Sequence, residues 1–343
     1  MLGHAKTRRG VLAAALIAGF GSAVIAAPAT AQEEQNFILA TATTGGTYYP
    51  VGVALATLVK VKLQPSDGIG MSAINSAGSG ENVKLMREDQ AQFSILQGLY
   101  GEYAWKGTGP LESEGQQEQL RSVTMLWQNV EHFLLLSDKV DSGTIDDLGK
   151  LAGERFSIGA KNSGTEGSGR HLLGNLGIDP ESLDLAYLGY GPSADALQNG
   201  QIIGANIPAG VPVGAVTQAF AVLGDGLTVL DFTDEQMARA NGEGDLWGRY
   251  VIPAETYPGQ SADINTIAQP NFLAVNADVD EEAVYLITKT IYENLPFLQN
   301  IHAATKAMAL DKAIGGLPAP LHPGAAKYYQ EQGIEIPERL IAG

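Results

Sequence analysis

Residues 38–62 set the terms for the rest of the chain. An apolar, strand-favouring run from Ile38 ends in Thr43-Thr44-Gly45-Gly46-Thr47, and an apolar helical pattern from Val51 to Lys62 follows at once. This spells strand, tight glycine turn, helix start. Such a turn leaves unpaired backbone N–H groups at the positive end of a helix dipole, which makes it a seat for an anion. Gly45 and Gly46 let the backbone approach a ligand, and Thr44 and Thr47 add hydroxyls. An ordinary βα turn has the same look, so the argument rests on recurrence.

The pattern does recur. Gly70–Asn75 reads as a strand running into Ser76-Ala77-Gly78-Ser79-Gly80-Glu81-Asn82 and a helix from Val83. Ala91–Leu96 runs into Gln97-Gly98 and a helix from about Leu99. Successive βα units with short connections predict an α/β fold with a mainly parallel sheet flanked by helices. Arg121–Trp127 and His132–Ser137 are further strands. A second set follows: Arg155–Ile158, Leu183–Leu188, Ile202–Ile207 and Leu227–Phe232, the last leading to a helix capped by Thr233. Ile264–Val275 returns as strand, and Asp280–Glu293, Ile301–Ala309 and His322–Glu331 read as helices. Two sheets of similar design are expected, joined by the apolar strands near 132–137 and 264–275.

In open parallel sheets, ligands bind at the carboxyl ends of strands. Six such ends are readable: Thr44–Tyr48, Asn75–Glu81, Gln97–Tyr100, Lys161–Thr165, Gly189–Ser193 and Pro208–Pro212. They are built from Gly, Ser, Thr, Asn, Gln, Tyr and Pro, with Glu81 and Lys161 as the charges. A catalytic site usually places His, Asp, Glu or Cys there, so the composition points to binding and not to an enzyme. The candidate contacts are Thr44, Gly45, Gly46, Thr47, Tyr48, Asn75, Ser76, Ser79, Asn82, Gln97, Asn162, Ser163, Gly164, Thr165, Pro208, Ala209 and Val211. Tyr48 is placed facing the cleft. Asn82 and Gln97 either brace backbone or touch ligand. No arginine stands at a strand end. Arg170 and Arg87 lie well inside helices and are expected to point away, so the anion should be held by N–H groups, hydroxyls and amides.

Lys6, Arg8 and Arg9 precede an apolar stretch, Val11–Ala27, and Ala29-Thr30-Ala31 is a cleavage pattern. Residues 1–31 are therefore expected to be a signal peptide, with the mature chain starting near Gln32. Thr7-Arg8-Arg9-Gly10-Val11-Leu12 looks like a twin-arginine signal, with Sec export as the alternative. The mature chain keeps all 38 acidic residues and loses 3 of 21 basic ones, for a net charge of −20. That argues against nucleic acid or anionic lipid as partner. There is no cysteine, hence no disulfide framework or thiolate metal site. No cofactor and no metal are expected, and the periplasm is the expected location.

Several near-motifs fail on inspection. Residues 164–171 mimic a P-loop, but Arg170 replaces the lysine and His171 the Mg²⁺-binding hydroxyl. Gly189-Tyr190-Gly191-Pro192-Ser193-Ala194 resembles a dinucleotide turn without the acidic residue about 20 positions on. Neither Ser79 nor Ser168 sits in G-x-S-x-G. His4, His132, His171, His302 and His322 show no metal spacing and read as caps or surface residues.

Residues 44–50 (TGGTYYP), the Asn75–Asn82 loop, Asn162-Ser163-Gly164-Thr165, Ile252–Gln260 (IPAETYPGQ) and Pro320–Tyr329 (PLHPGAAKYY) resemble the TAXI type of TRAP-transporter solute receptor. The family usually has an aspartate near Ile203 and often Gln-Ser-Asp where this chain has Gln97-Gly98-Leu99. The resemblance implies a two-lobed periplasmic binding protein, type II-like, hinged by crossing strands. Lobe 1 would comprise residues 32–134 and 265–343, and lobe 2 residues 135–264. It implies a monomer that takes up a small organic anion, such as glutamate, glutamine or 2-oxoglutarate, and delivers it to TRAP membrane subunits. The rival readings are a binding subunit of a sensory system and an exported enzyme using the same glycine loops.

Overall fold

The computed structural model describes residues 34–341. The expected signal peptide and the expected mature start at Gln32 lie outside the described residues. The first three βα units form as read. They are β1 (Gln35–Ala40) and α1 (Tyr48–Asp67), β2 (Ile69–Ile74) and α2 (Ser79–Arg87), and β3 (Phe93–Gln97) and α3 (Gly98–Lys106). Gly68 closes α1 in the left-handed conformation, φ +67°, with its N–H donating to the Gln64 carbonyl, the conformation glycine adopts at least cost. β4 (Leu120–Val130) and β5 (Phe133–Leu136) then carry the chain out of the first sheet and into the second.

The second set comprises β6 (Arg155–Ser157), α4 (Gly164–Asn175), β7 (Asp184–Ala186), α5 (Tyr190–Gln198), β8 (Gly204–Asn206), α6 (Gly214–Leu223), β9 (Leu227–Val229) and α7 (Asp234–Asn241). α7 starts with a full capping box: Thr233 accepts from the Gln236 N–H, and the Gln236 side chain reaches back to the Thr233 backbone. β10 (Gly248–Ile252) and the 13-residue β11 (Ile264–Asn276) return the chain to the first sheet. α8 (Glu281–Glu293), α9 (Leu295–Ile301) and α10 (Pro323–Glu331) finish it. Asp280 caps α8 and His322 caps α10.

The first sheet runs β10-β11-β3-β1-β2, with β4 on the other edge of β11. The second runs β7-β6-β8-β5-β9. Each has a parallel trio, β2-β1-β3 and β7-β6-β8, extended by antiparallel strands. The strands that run against the trios, β11 in the first sheet and β5 in the second, belong to the two crossings between the sheets. A crossing strand enters the second sheet without a helical return, so nothing forces it parallel. β11 is the spine of the link. Its first residues pair with β10 and its last with β3, while β4 runs along its other side.

The first sheet and its helices enclose one hydrophobic core around Leu55, Phe93, Leu96, Phe272 and Tyr329. The second sheet is covered on both faces. One core gathers around Leu134, Ala205, Val216 and Tyr257, the other around Phe133, Phe156, Leu172 and Phe232. Alternate residues of β5 feed the two, as the period of a strand requires.

The C-terminal region departs from expectation. The helix read over 301–309 ends at Ile301, where α9, started by Pro296, stops. His302 is extended, and its Nδ1 accepts from the Ala304 N–H to open a short 3₁₀ turn, Ala303–Ala307. The side chain competes for the backbone donor that would have continued the helix.

Candidate functional site

Six loops leave the carboxyl ends of β1, β2 and β3 in one lobe and of β6, β7 and β8 in the other. All six converge on a narrow space between the lobes. The starts of α1, α2, α4 and α5 border it. Three of them have no side-chain cap: Thr47 before α1, Gly78 before α2 and Gly189 before α5. The Glu81 N–H of α2 goes to the Asn162 carbonyl, and Pro50 and Pro192 give α1 and α5 no third N–H, so the first two N–H groups of each helix are left to whatever occupies the space. α4 is capped by Ser163, which accepts from the Glu166 N–H at 3.0 Å. Its own hydroxyl proton stays free.

The lobes are closed on one another. The Glu81 N–H donates to the Asn162 carbonyl at 2.9 Å and the Ala215 N–H to the Gly45 carbonyl at 3.2 Å. Gln97 Nε2 donates to the Gly164 carbonyl at 2.8 Å, and the Thr47 hydroxyl to the Gly210 carbonyl at 3.0 Å. Glycines allow this approach. A Cβ at Gly80 would stand 2.3 Å from the Asn162 carbonyl oxygen, and one at Gly46 would stand 2.9 Å from the Tyr190 ring. The space left is about 30 Å³, room for a water molecule or two.

Of the residues singled out from sequence, Gly46, Thr47, Tyr48, Ser79, Gln97, Ser163, Gly164, Thr165, Pro208 and Ala209 border the space. The others stand back from it. Thr44 and Asn75 are exposed. Gly45 and Asn162 lend their carbonyls to the seam between lobes. Asn82 is fully buried, and its Nδ2 donates to the carbonyls of Thr41 (2.7 Å) and Ile95 (2.9 Å) while its Oδ1 accepts from Ser76. Asn82 and Ser76 therefore brace the β1 and β3 ends. Val211 packs behind the β8 end with the second lobe's core.

Sequence reasoning missed Thr43, Asn129 and Tyr190, which also border the space. Tyr190 lay within one of the six strand ends. Asn129 had a signal too: it opens the polar run Asn129-Val130-Glu131-His132 at the end of an apolar strand.

Among the described residues, no charged side chain borders the space. Arg170 engages Glu166, Glu181 and the Tyr187 hydroxyl, and Arg87 pairs with Glu114. Glu81 turns back to accept from the Ala77 N–H, and Lys161 lies over the Tyr187 ring. Burial raises Tyr48 and Tyr190 above the ordinary phenol range, so both remain neutral donors. Tyr48 donates to Asn271 Oδ1 at 2.5 Å. Among the described residues, no three His, Cys, Asp or Glu side chains converge as metal ligands would. His302 and His322 cap turns as read, whereas His132 is fully buried between the Val130 carbonyl and the Tyr257 hydroxyl.

Two α/β lobes, two crossing strands and a polar cleft at the strand ends define the class of the periplasmic binding proteins. Within it, this chain belongs to the NMT1-like family, whose profile it matches over residues 39–333. Its fold is also similar to MatC (Rpa3494) from Rhodopseudomonas palustris with bound malate, at 14% identity and a TM-score of 0.50, covering 87% of this chain and 96% of that one. It is similar to PhnD1 from Prochlorococcus marinus in complex with methylphosphonate, at 12% identity and a TM-score of 0.49, covering 79% and 91%. For the periplasmic aliphatic sulphonate binding protein SsuA from Escherichia coli the figures are 13%, 0.43, 86% and 78%. No helix among the described residues is long and apolar enough to cross a membrane.

Proposed function

We propose that this protein is an exported solute receptor of the TAXI type. It binds one small organic anion between its lobes, as a monomer, and passes it to the membrane subunits of a TRAP transporter. The reading carries no catalytic role and no cofactor. The observation that supports it is the meeting of four helix starts, three of them uncapped, on one space without a charged side chain. Helix starts favour negative charge, and a closed, water-poor cleft strengthens that preference. The TAXI-like segments, TGGTYYP at 44–50 and PLHPGAAKYY at 320–329 among them, support the transporter class, and MatC, with bound malate, is an organic-dianion case on the same fold. The two lobes are taken as residues 32–134 with 265–343, and 135–264.

A thermal-shift screen of dicarboxylates, amino acids, oxo acids, sulfonates and phosphonates tests the reading. A true ligand at 100 times its Kd stabilises by about 2.7 kcal/mol. A panel in which nothing shifts the transition would sink it.

The donors can be ranked with the ligand so found. Ser163→Ala removes a hydroxyl at the α4 start and is expected to weaken binding about ten- to hundredfold, the worth of a hydrogen bond to a charged group. Arg170→Ala, whose guanidinium is held by Glu166 and Glu181, should leave Kd nearly unchanged. The reverse ranking in a calorimetric titration would replace the helix-start mechanism by a guanidinium clamp.

A further inference from the structure

The hydroxyl protons of the cleft can be assigned one by one, and most are already used. Tyr190 has a single hydroxyl proton and gives it to the Pro208 carbonyl at 2.5 Å. Thr165 Oγ1 lies 2.8 Å from the same Tyr190 oxygen, so Thr165 must be the donor of that pair. Thr47 gives its proton to the Gly210 carbonyl. Towards the space between the lobes, Thr47, Thr165 and Tyr190 have only lone pairs left.

Asn129 completes this wall. Gln97 Nε2 donates to the Gly164 carbonyl, which leaves Gln97 Oε1 as the acceptor for Asn129 Nδ2 at 3.2 Å. That fixes the Asn129 amide: a flip would set two oxygens against each other. Its Oδ1 is buried, in a residue only 2% exposed, and has no partner among the described residues. An acceptor left unpaired in a buried place carries a desolvation penalty. The cleft is therefore two-signed, with N–H donors at the helix starts and a patch of acceptors at Asn129, Thr165 and Thr47.

We propose that the ligand carries a hydrogen-bond donor, an amino or hydroxyl group, beside its anionic group, and that Asn129 Oδ1 accepts from it. The ligand is then an amino acid or a hydroxy acid and not an oxo acid, sulfonate or phosphonate without a donor. This rests on the anion-receptor reading above and narrows it. An acceptor-only anion satisfies the helix starts but leaves Asn129 unpaired, and discrimination by a site built to pair a substrate OH or NH is steep for that reason.

Calorimetric titration with matched compounds tests it: L-malate against succinate, and L-glutamate and 2-hydroxyglutarate against 2-oxoglutarate and glutarate. The donor-bearing member of the binding series should be tighter by about tenfold or more. Asn129→Ala and Asn129→Leu should each collapse that ratio towards one. The wild-type comparison decides alone if neither variant folds. Donor-free members that bind as tightly as their counterparts would overturn the proposal, and so would a ratio that survives both substitutions. Binding of donor-free anions alone would leave the receptor reading standing and remove this one. Silence from every organic anion would remove both.

Discussion

Replacing Gly80 by leucine is expected to hold the lobes apart and to weaken ligand binding while the protein stays folded. Gly80 lies in the first turn of α2, facing the second lobe. A Cβ there would meet the Asn162 carbonyl oxygen at 2.3 Å and its carbon at 3.0 Å. That carbonyl already accepts from the Glu81 N–H, so it cannot swing aside without breaking the seam. The backbone of Gly80 itself is not in the left-handed region, so a side chain brings no local strain. The cost falls on closure, about 1–3 kcal/mol for an overpacked contact, or roughly ten- to hundredfold in Kd. Small-angle scattering should show that the variant remains extended when ligand is added, while its circular dichroism matches the parent. Wild-type affinity and wild-type compaction in Gly80→Leu would show that binding does not need this closure.

The second large effect concerns Glu131, which sits in the link between β4 and β5 and is fully buried. Trp247 Nε1 donates to its Oε1 at 3.3 Å, while Oε2 has no partner. The side-chain amides of Gln269 and Asn206 stand near, and the phenols of Tyr48 and Tyr190 lie within electrostatic reach of it. Among the described residues no cation offsets the carboxylate, and burial pushes its pKa up to about 8 from 4.5. The folded state thus holds a proton that the unfolded chain has lost, and stability falls as pH rises through this window, by about 1.4 kcal/mol per unit. His132, next in sequence, does the opposite. Burial lowers it to about 4 from 6.5, so the unfolded chain binds the extra proton and stability rises with pH between those values. The two contributions oppose each other between about pH 4.5 and 6.5, and the Glu131 loss stands alone between 6.5 and 8. Urea midpoints at pH 6.5 and 8 should show a fall of about 2 kcal/mol from this group, absent in Glu131→Gln. Parallel pH profiles for parent and variant would mean that Glu131 is ionised in the folded state throughout.

The positions of the strand ends could be read because each combined an apolar run, a glycine turn and a helix start in consecutive residues. The cap at Thr233 could be read for the same reason, since a cap is a local agreement of two or three residues. What the chain does across its two lobes was less accessible. β10 hides in Gly248-Arg249-Tyr250-Val251-Ile252, whose partner strand begins twelve residues later in a run that could pair elsewhere. The strands of the second sheet are three or four residues long and give little periodicity to detect. Thr47 and Thr165 border the space between the lobes, yet a role as donors to a ligand does not follow. Their protons go to Gly210 and Tyr190, partners set by tertiary packing. Asn129 is the converse case, an amide in an apolar strand whose meaning depends on Gln97, a residue 32 positions away.

The seam between the lobes has a consequence for how tightly this protein holds its cargo. Its hydrogen bonds, from Glu81 to Asn162, Ala215 to Gly45, Gln97 to Gly164 and Thr47 to Gly210, join protein to protein and not protein to cargo. They set the fraction of unloaded molecules already shut, and apparent affinity is the intrinsic affinity scaled by that fraction. Evolution or engineering can therefore retune this receptor from residues that never meet its cargo. A stronger seam raises affinity and slows release at the membrane. Past a point it also presents the transporter with shut but empty carriers, which compete for the docking site with loaded ones. The strength of these four contacts thus sets a ceiling on how avid such a receptor can become before it starts to inhibit its own transport.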